Sequence, residues 1–149
     1  MNQPESNALP PAVAGLGYGG LTPFLGLLLL IHVLPWQHTL LTFTLLAYGA
    51  VILSFVGAVH WGFAMVLPEL AQAQRQAAYL WSIVPALIAW PALLLDPRWG
   101  ALVLVTGFLL HYRQDTRLAE QCTLPGWYLP LRLRLTCVAS LCLLGSIAL

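Results

Sequence analysis

The sequence predicts an all-α fold, a polytopic transmembrane helical bundle with five spans, and three observations lead to it. Apolar runs recur at about the 20-residue length that crosses a hydrocarbon core of about 30 Å. Of 149 residues, 60% are hydrophobic and only 7% charged, against about a quarter charged in a soluble domain, and mean hydropathy is +0.82. A soluble fold of this size has no interior large enough to hide that much apolar surface. Turn-forming residues punctuate the runs at Pro35, Pro68-Glu69, Asp96-Pro97 and Pro125-Gly126, where a helix is expected to stop.

Taken in order, residues 1–14 (MNQPESNALPPAVA) are expected to form a disordered tail, and 15–149 a single transmembrane domain. The tail carries no Lys or Arg before the first apolar run, so it reads as neither a secretory signal nor a transit peptide. The spans are expected at Gly15–Leu34, Thr42–Leu67, Ala78–Leu95, Trp99–Tyr112 and Pro130–Leu149. The fourth is short: Gly100 to Tyr112 supplies about 20 Å of helix, so it must continue past Arg113 or be shielded by its neighbours.

Arginine placement orients the chain. With five spans, Arg75, Arg113, Arg117, Arg132 and Arg134 share one side and Arg98 alone occupies the other. Positive-inside bias then places the N-terminus in the cytoplasm and the C-terminus in the periplasm. Trp36, Trp99, Trp127 and Tyr128 fall at span ends, where amphipathic rings favour the interface.

Composition also removes function classes. A net charge of +1 with no lysine offers no basic patch for nucleic acid. Cys122, Cys137 and Cys142 form no CxxC pair and read as free packed thiols. No HExxH, GxSxG or P-loop is present, which removes the usual signatures of zinc, serine and nucleotide chemistry. No metal site is expected.

The second span contains SFVGAVHWG, Ser54 to Gly62, polar and small where lipid favours bulk. At about 100° per residue, Gly49, Ala50, Leu53, Ser54, Gly57, Ala58, His60, Trp61 and Ala64 gather on one half. Tyr48, Ile52, Phe55, Val56, Val59, Phe63 and Val66 gather on the other. Ala50, Ser54, Ala58 and Gly62 recur every four residues, and with Gly57 they form a candidate small-residue helix contact. An ionisable group inside a span usually faces the interior. His60 therefore reads as a hydrogen-bonded packing histidine, a ligand-binding group or a proton carrier. In the third span, Pro85 and Pro91 free the carbonyls of Trp81 and Leu87. A helix bent there brings Trp81, Ser82 and Pro85 toward His60, with Trp61 beside it. Before the fifth span, Asp115 is flanked by Arg113 and Arg117, and Arg132 and Arg134 open the span. Arginine at a helix N-terminus opposes the macrodipole and needs a partner, either Asp115 or an anionic headgroup.

Three pieces, YGAVILSFVGAVHWG (48–62), VPALIAW (84–90) and LPGWYLPLRLRLT (124–136) with Asp115 upstream, resemble a family of small multi-pass membrane proteins of unknown function. That family includes mitochondrial transmembrane protein 69. The matching positions are Phe55, Gly57, His60, Trp61, Gly62, Pro85, Trp90, Asp115, Trp127, Tyr128, Arg132 and Thr136. The resemblance implies topology and candidate positions but no reaction. Because the basic presequence of a mitochondrial member is absent, the expected location is a bacterial inner membrane.

Two functions follow as expectations. The first is a non-enzymatic accessory or assembly subunit, docking a larger membrane complex or a second copy of itself. The alternative is a binder of an apolar molecule, a quinone or a tetrapyrrole such as haem, in a pocket around His60 between spans two and three. His60, Trp61, Trp81, Ser82 and Pro85 would line that pocket, with His111 as a second haem ligand.

Overall fold

The computed structural model describes residues 8–148 as a helical bundle without strands among those residues. Helix α1 spans Pro11–Gly19, α2 Thr22–Val33, α3 His38–Val66, α4 Gln72–Ala92, α5 Pro97–Gln121 and α6 Tyr128–Gly145, with a single 3₁₀ turn at Pro35–Gln37. Of the tail expected over 1–14, residues 1–7 lie outside the described ones, and α1 is already helical from Pro11. The expected first span is two helices. Pro23 has no N–H to give to the Gly19 carbonyl, and its ring crowds that position, so the chain breaks at Gly20-Leu21 before α2 begins.

Pro11–Val33, Pro35–Val66 and Tyr128–Gly145 are long and apolar enough to cross a membrane. At 21 and 25 residues, α4 and α5 are also long enough, but their polar ends lower their apolarity. The short fourth span is resolved by extension. Asp96 caps α5, its Oδ1 accepting the Arg98 N–H at 3.0 Å, and Pro97 sits in the first turn, where a missing N–H costs nothing. From there α5 runs on past Arg113 to Gln121.

The deepest side chains include Phe24, Ile31, Leu45, Leu53, Leu104 and Leu143. Phe24 meets Tyr48 edge to face at 5.0 Å, and the Tyr48 hydroxyl donates to the Gly20 carbonyl at 2.9 Å, tying the α1–α2 break to α3. Helix α3 packs most extensively on α4. A Cβ added at Gly57 would lie 2.7 Å from Pro85 Cγ, and one at Gly100 would lie 2.5 Å from the Ala92 carbonyl oxygen. Both glycines are therefore required for close approach. Phe55, Leu87 and Trp90 point outward, as expected of a lipid-facing surface.

The turn between α3 and α4 is closed by Arg75. Its guanidinium donates to the carbonyls of Ala64 and Leu67 and, at 3.4 Å, to Leu70. These oxygens include the unpaired C-terminal carbonyls of α3, where positive charge is favoured.

Candidate functional site

Asp115 is the centre of a buried polar cluster drawn from four helices. His60 comes from α3, Trp81 from α4, His111 and Asp115 from successive turns of α5, and Tyr128 and Arg132 from successive turns of α6. His60 Nε2 lies 2.9 Å from Asp115 Oδ1, and the Tyr128 hydroxyl donates to the same oxygen at 3.1 Å. Arg132 Nε donates to Oδ2 at 2.8 Å. His111 Nε2 stands 3.7 Å from Oδ1. Asp115 and His60 are 0% exposed, so the carboxylate sits in a medium where an unpaired charge would be expensive. The Arg132 guanidinium supplies the compensating charge, and the helix spacing of four residues stacks His111 over Asp115 and Arg132 over Tyr128.

The hydrogens can be assigned by elimination. An ionised carboxylate only accepts, so His60 Nε2 carries the hydrogen it shares with Asp115. Indole nitrogen only donates, and Trp81 Nε1 lies 3.1 Å from His111 Nδ1. His111 Nδ1 is therefore the bare nitrogen, and its proton resides on Nε2. The Trp81 ring also stacks on His111, 9° from parallel with centroids 6.4 Å apart.

Donor atoms of His60, His111 and Asp115 all lie within 4.8 Å of one another, a two-histidine, one-carboxylate set of the kind that holds divalent metals. Two features oppose occupancy. Both ring nitrogens facing the centre carry hydrogen, and the second nitrogen of a metal-bound histidine ordinarily donates outward, which Trp81 forbids at His111. Arg132 already neutralises the carboxylate. Nor can a tetrapyrrole pass between the two histidines, whose rings meet edge to face with centroids 5.0 Å apart.

Two cavities flank the cluster. One, about 190 Å³, is an apolar groove between α1–α2, α3 and α6, with Phe24, Phe55, Phe108, Tyr128, Arg132 and Thr136 among its walls. The other, about 260 Å³, lies toward α4 and is lined by His60 with Gln74, Gln114 and Gln121. Arg132 Nη2 and Thr136 Oγ1 are buried without a hydrogen-bond partner, as are His60 Nδ1 and His111 Nε2.

The family model described as "Protein of unknown function (DUF3429)" matches residues 9–148. The chain belongs to that family. It is 43% identical over 143 residues to Transmembrane protein 69 of Xenopus tropicalis, covering 93% of this chain and 54% of that protein. With Transmembrane protein 69 of Mus musculus it is 35% identical over 125 residues, covering 80% and 49%. The chain thus spans about half the length of the curated relatives it matches. No solved structure matches.

For this DUF3429 member, the structure brings His60, Trp81, His111, Asp115 and Arg132 together and leaves other sequence candidates apart. Trp61 is half exposed and packs on Tyr79, centroids 4.9 Å apart, away from the cluster. Ser82 donates to the Tyr79 carbonyl at 2.6 Å, and Pro85 covers Gly57. On the small-residue ridge, Ala50 is buried and Ser54 donates to its carbonyl at 2.8 Å, while Ala58 and Gly62 are exposed. Arg134 reaches the Tyr18 hydroxyl at 3.1 Å on the exposed surface and takes no part in the cluster. Cys122, just beyond α5, donates to the Leu118 carbonyl. Burial, with the Glu69 carboxylate adding to it, pushes its thiol pKa up, which suits a packed thiol and not a nucleophile. Tyr128 was expected as an interfacial ring at a span end and instead turns its hydroxyl to Asp115; Thr136 was visible only through the family resemblance, and nothing in the local pattern marked Phe108.

Proposed function

We propose that this membrane protein is a non-enzymatic bundle that seats an apolar small molecule in the groove between α1–α2, α3 and α6, with the Asp115 cluster anchoring its polar end. The carrying observation is Arg132. It spans both features, donating Nε to Asp115 and standing among the residues that line the groove. A guest in the groove would therefore lie against a guanidinium already fixed by the buried carboxylate. The seat differs from a pocket between spans two and three: around His60 the cavity is walled by glutamines. In this reading Arg132 and Thr136 touch the guest, while His60, His111 and Asp115 hold Arg132 in place.

The test is extraction of the protein from its native membrane in mild detergent, followed by mass analysis of bound small molecules. A stoichiometric apolar compound lost in Arg132→Met is expected. A preparation free of any such compound, from wild type and variant alike, would overturn the proposal.

The exposed position of Ala58 and Gly62 supports a second reading, an accessory subunit docking another helix on that side of α3, because small residues permit close helix approach. Fixed co-purification of a partner, lost on Gly62→Leu, would favour it. An N-terminus on the cytoplasmic side is proposed from arginine placement. His38, Arg98 and Ser146 border one small cavity, so the end bearing the lone arginine is the end where α6 finishes.

A further inference from the structure

We infer that the outer seam between α1 and α6 binds an anionic phospholipid, its phosphate held by Arg134 and the Tyr18 hydroxyl. Both residues belong to segments long and apolar enough to cross a membrane, Pro11–Val33 and Tyr128–Gly145. Arg134 stands about 9 Å along α6 from its start at Tyr128. Two positions turn about 200° around a helix. Arg132 therefore faces Asp115 inside the bundle, while Arg134 is exposed beside the exposed Leu133. In a bilayer an exposed span surface faces lipid, where an uncompensated arginine is costly. Asp115 is the acid in every ion pair among the described residues, so Arg134 has no carboxylate there to neutralise it. Its guanidinium donates at 3.1 Å to the Tyr18 hydroxyl, which is neutral. The anions within reach of such a side chain in a membrane are lipid phosphates.

The two residues offer donors in one place. Arg134 has five N–H groups and spends one on Tyr18. The phenol accepts that hydrogen and keeps its own to give, and Tyr18 is 40% exposed. A phosphodiester carries one negative charge on two non-bridging oxygens, which a guanidinium can hold in a two-pronged grip while the phenol adds a further bond. A glycerol headgroup leaves the lipid negative against Arg134, whereas a choline headgroup cancels the charge it offers. The bound phosphate has a structural consequence. Helix α1 buries no side chain and meets α6 where Gly17 faces Leu131 and Leu135, so a phosphate shared by Tyr18 and Arg134 fastens α1 to α6. Neither residue lines the apolar groove. The lipid site is therefore distinct from the seat proposed above and stands or falls apart from it.

The purified full chain in maltoside micelles is titrated with dioleoyl phosphatidylglycerol, dioleoyl phosphatidylcholine, dioleoylglycerol and inorganic phosphate. Binding is followed by the shift in melting temperature and by adducts in native mass spectrometry. Phosphatidylglycerol is expected to bind saturably, and the other three at least about tenfold more weakly. Arg134→Met is expected to weaken phosphatidylglycerol binding at least about tenfold, and Tyr18→Phe by about three- to tenfold. Both side chains are exposed, so the lipid-free melting temperature is expected to stay near that of wild type. Arg117→Gln, which removes an exposed arginine of α5 instead, is expected to leave binding unchanged. Binding undiminished in Arg134→Met, or weakened as much by Arg117→Gln, would overturn the site. Equal binding of phosphatidylcholine or dioleoylglycerol would overturn its preference for an anionic phosphate. Equal stabilisation by inorganic phosphate would overturn the assignment to lipid.

Discussion

Gly57 of α3 lies directly beneath the pyrrolidine ring of Pro85 on α4, so that a methyl group at position 57 would lie 2.7 Å from Pro85 Cγ and 2.8 Å from its Cβ. A proline ring has no rotamer by which to swing aside, so the helices must separate to admit even an alanine. Gly57→Ala is expected to destabilise the bundle by about 1–3 kcal/mol, read as a lower melting temperature in detergent. Ala58→Leu, one residue on but facing outward, is expected to be nearly neutral. Equal losses at the two positions would show that the helix face has been assigned wrongly.

A second expectation concerns the Arg132–Asp115 pair. The Arg132 side chain is only 11% exposed and Asp115 is fully covered, so removing one partner strands the other in a poor solvent. Asp115→Asn alone is expected to cost about 3–5 kcal/mol. The double variant Asp115→Asn, Arg132→Met removes both charges and is expected to recover more than half of that loss. A double variant no better than the single would mean that the pair's worth lies in shape and hydrogen bonding, not charge.

Helix order was legible because lipid imposes long apolar runs and proline and glycine interrupt them, and His60 was legibly interior from its wheel position. The ridge of Ala50, Ser54, Ala58 and Gly62 misled for a geometric reason. Each four-residue step advances about 40° around a helix, so three steps rotate about 120°. Ala50 is accordingly buried while Gly62 is exposed. The fourth span looked short because Arg113, Asp115 and Arg117 resemble a cytoplasmic loop. In the structure Asp115 turns inward on a continuing helix and is neutralised by Arg132. The meeting of His60 with Asp115, 55 positions away, and the groove between helices distant in sequence depend on tertiary arrangement, which no local pattern encodes.

Hydrogen placement around His111 leads to an expectation about metals. With Trp81 donating to Nδ1, the imidazole must give up its remaining proton to ligate through Nε2, and Arg132 competes for the carboxylate. Purified protein titrated with Co²⁺ is expected to show no ligand-field bands and no thermal stabilisation. Stoichiometric uptake abolished by His111→Ala would refute the hydrogen assignment.

Orientation is open to a direct measurement. If five arginines at one end hold that end in the cytoplasm, a reporter that is active only in the periplasm is expected to work when fused after Leu149 in a bacterial host. Activity of a cytoplasmic reporter at the same position would mean that the bundle is inverted or one segment fails to cross.

His60 separates packing from guest binding. It lines the glutamine-walled cavity and not the groove, and its link to Asp115 is one hydrogen bond. Glutamine can supply an N–H in the same region, so His60→Gln is expected to change stability by no more than about 1 kcal/mol and leave any co-purifying molecule in place. His60→Leu takes the donor away altogether, leaving Asp115 Oδ1 with the Tyr128 hydroxyl as its hydrogen-bond donor, and is expected to cost about 1–3 kcal/mol. The two histidine variants are therefore expected to differ in melting temperature, with His60→Leu the lower, and neither is expected to release a co-purifying molecule. If His60→Gln instead released the guest while the protein still accumulated and melted normally, the imidazole itself would be in contact with that guest, and the seat would have to be moved from the groove to the α4 side of the cluster.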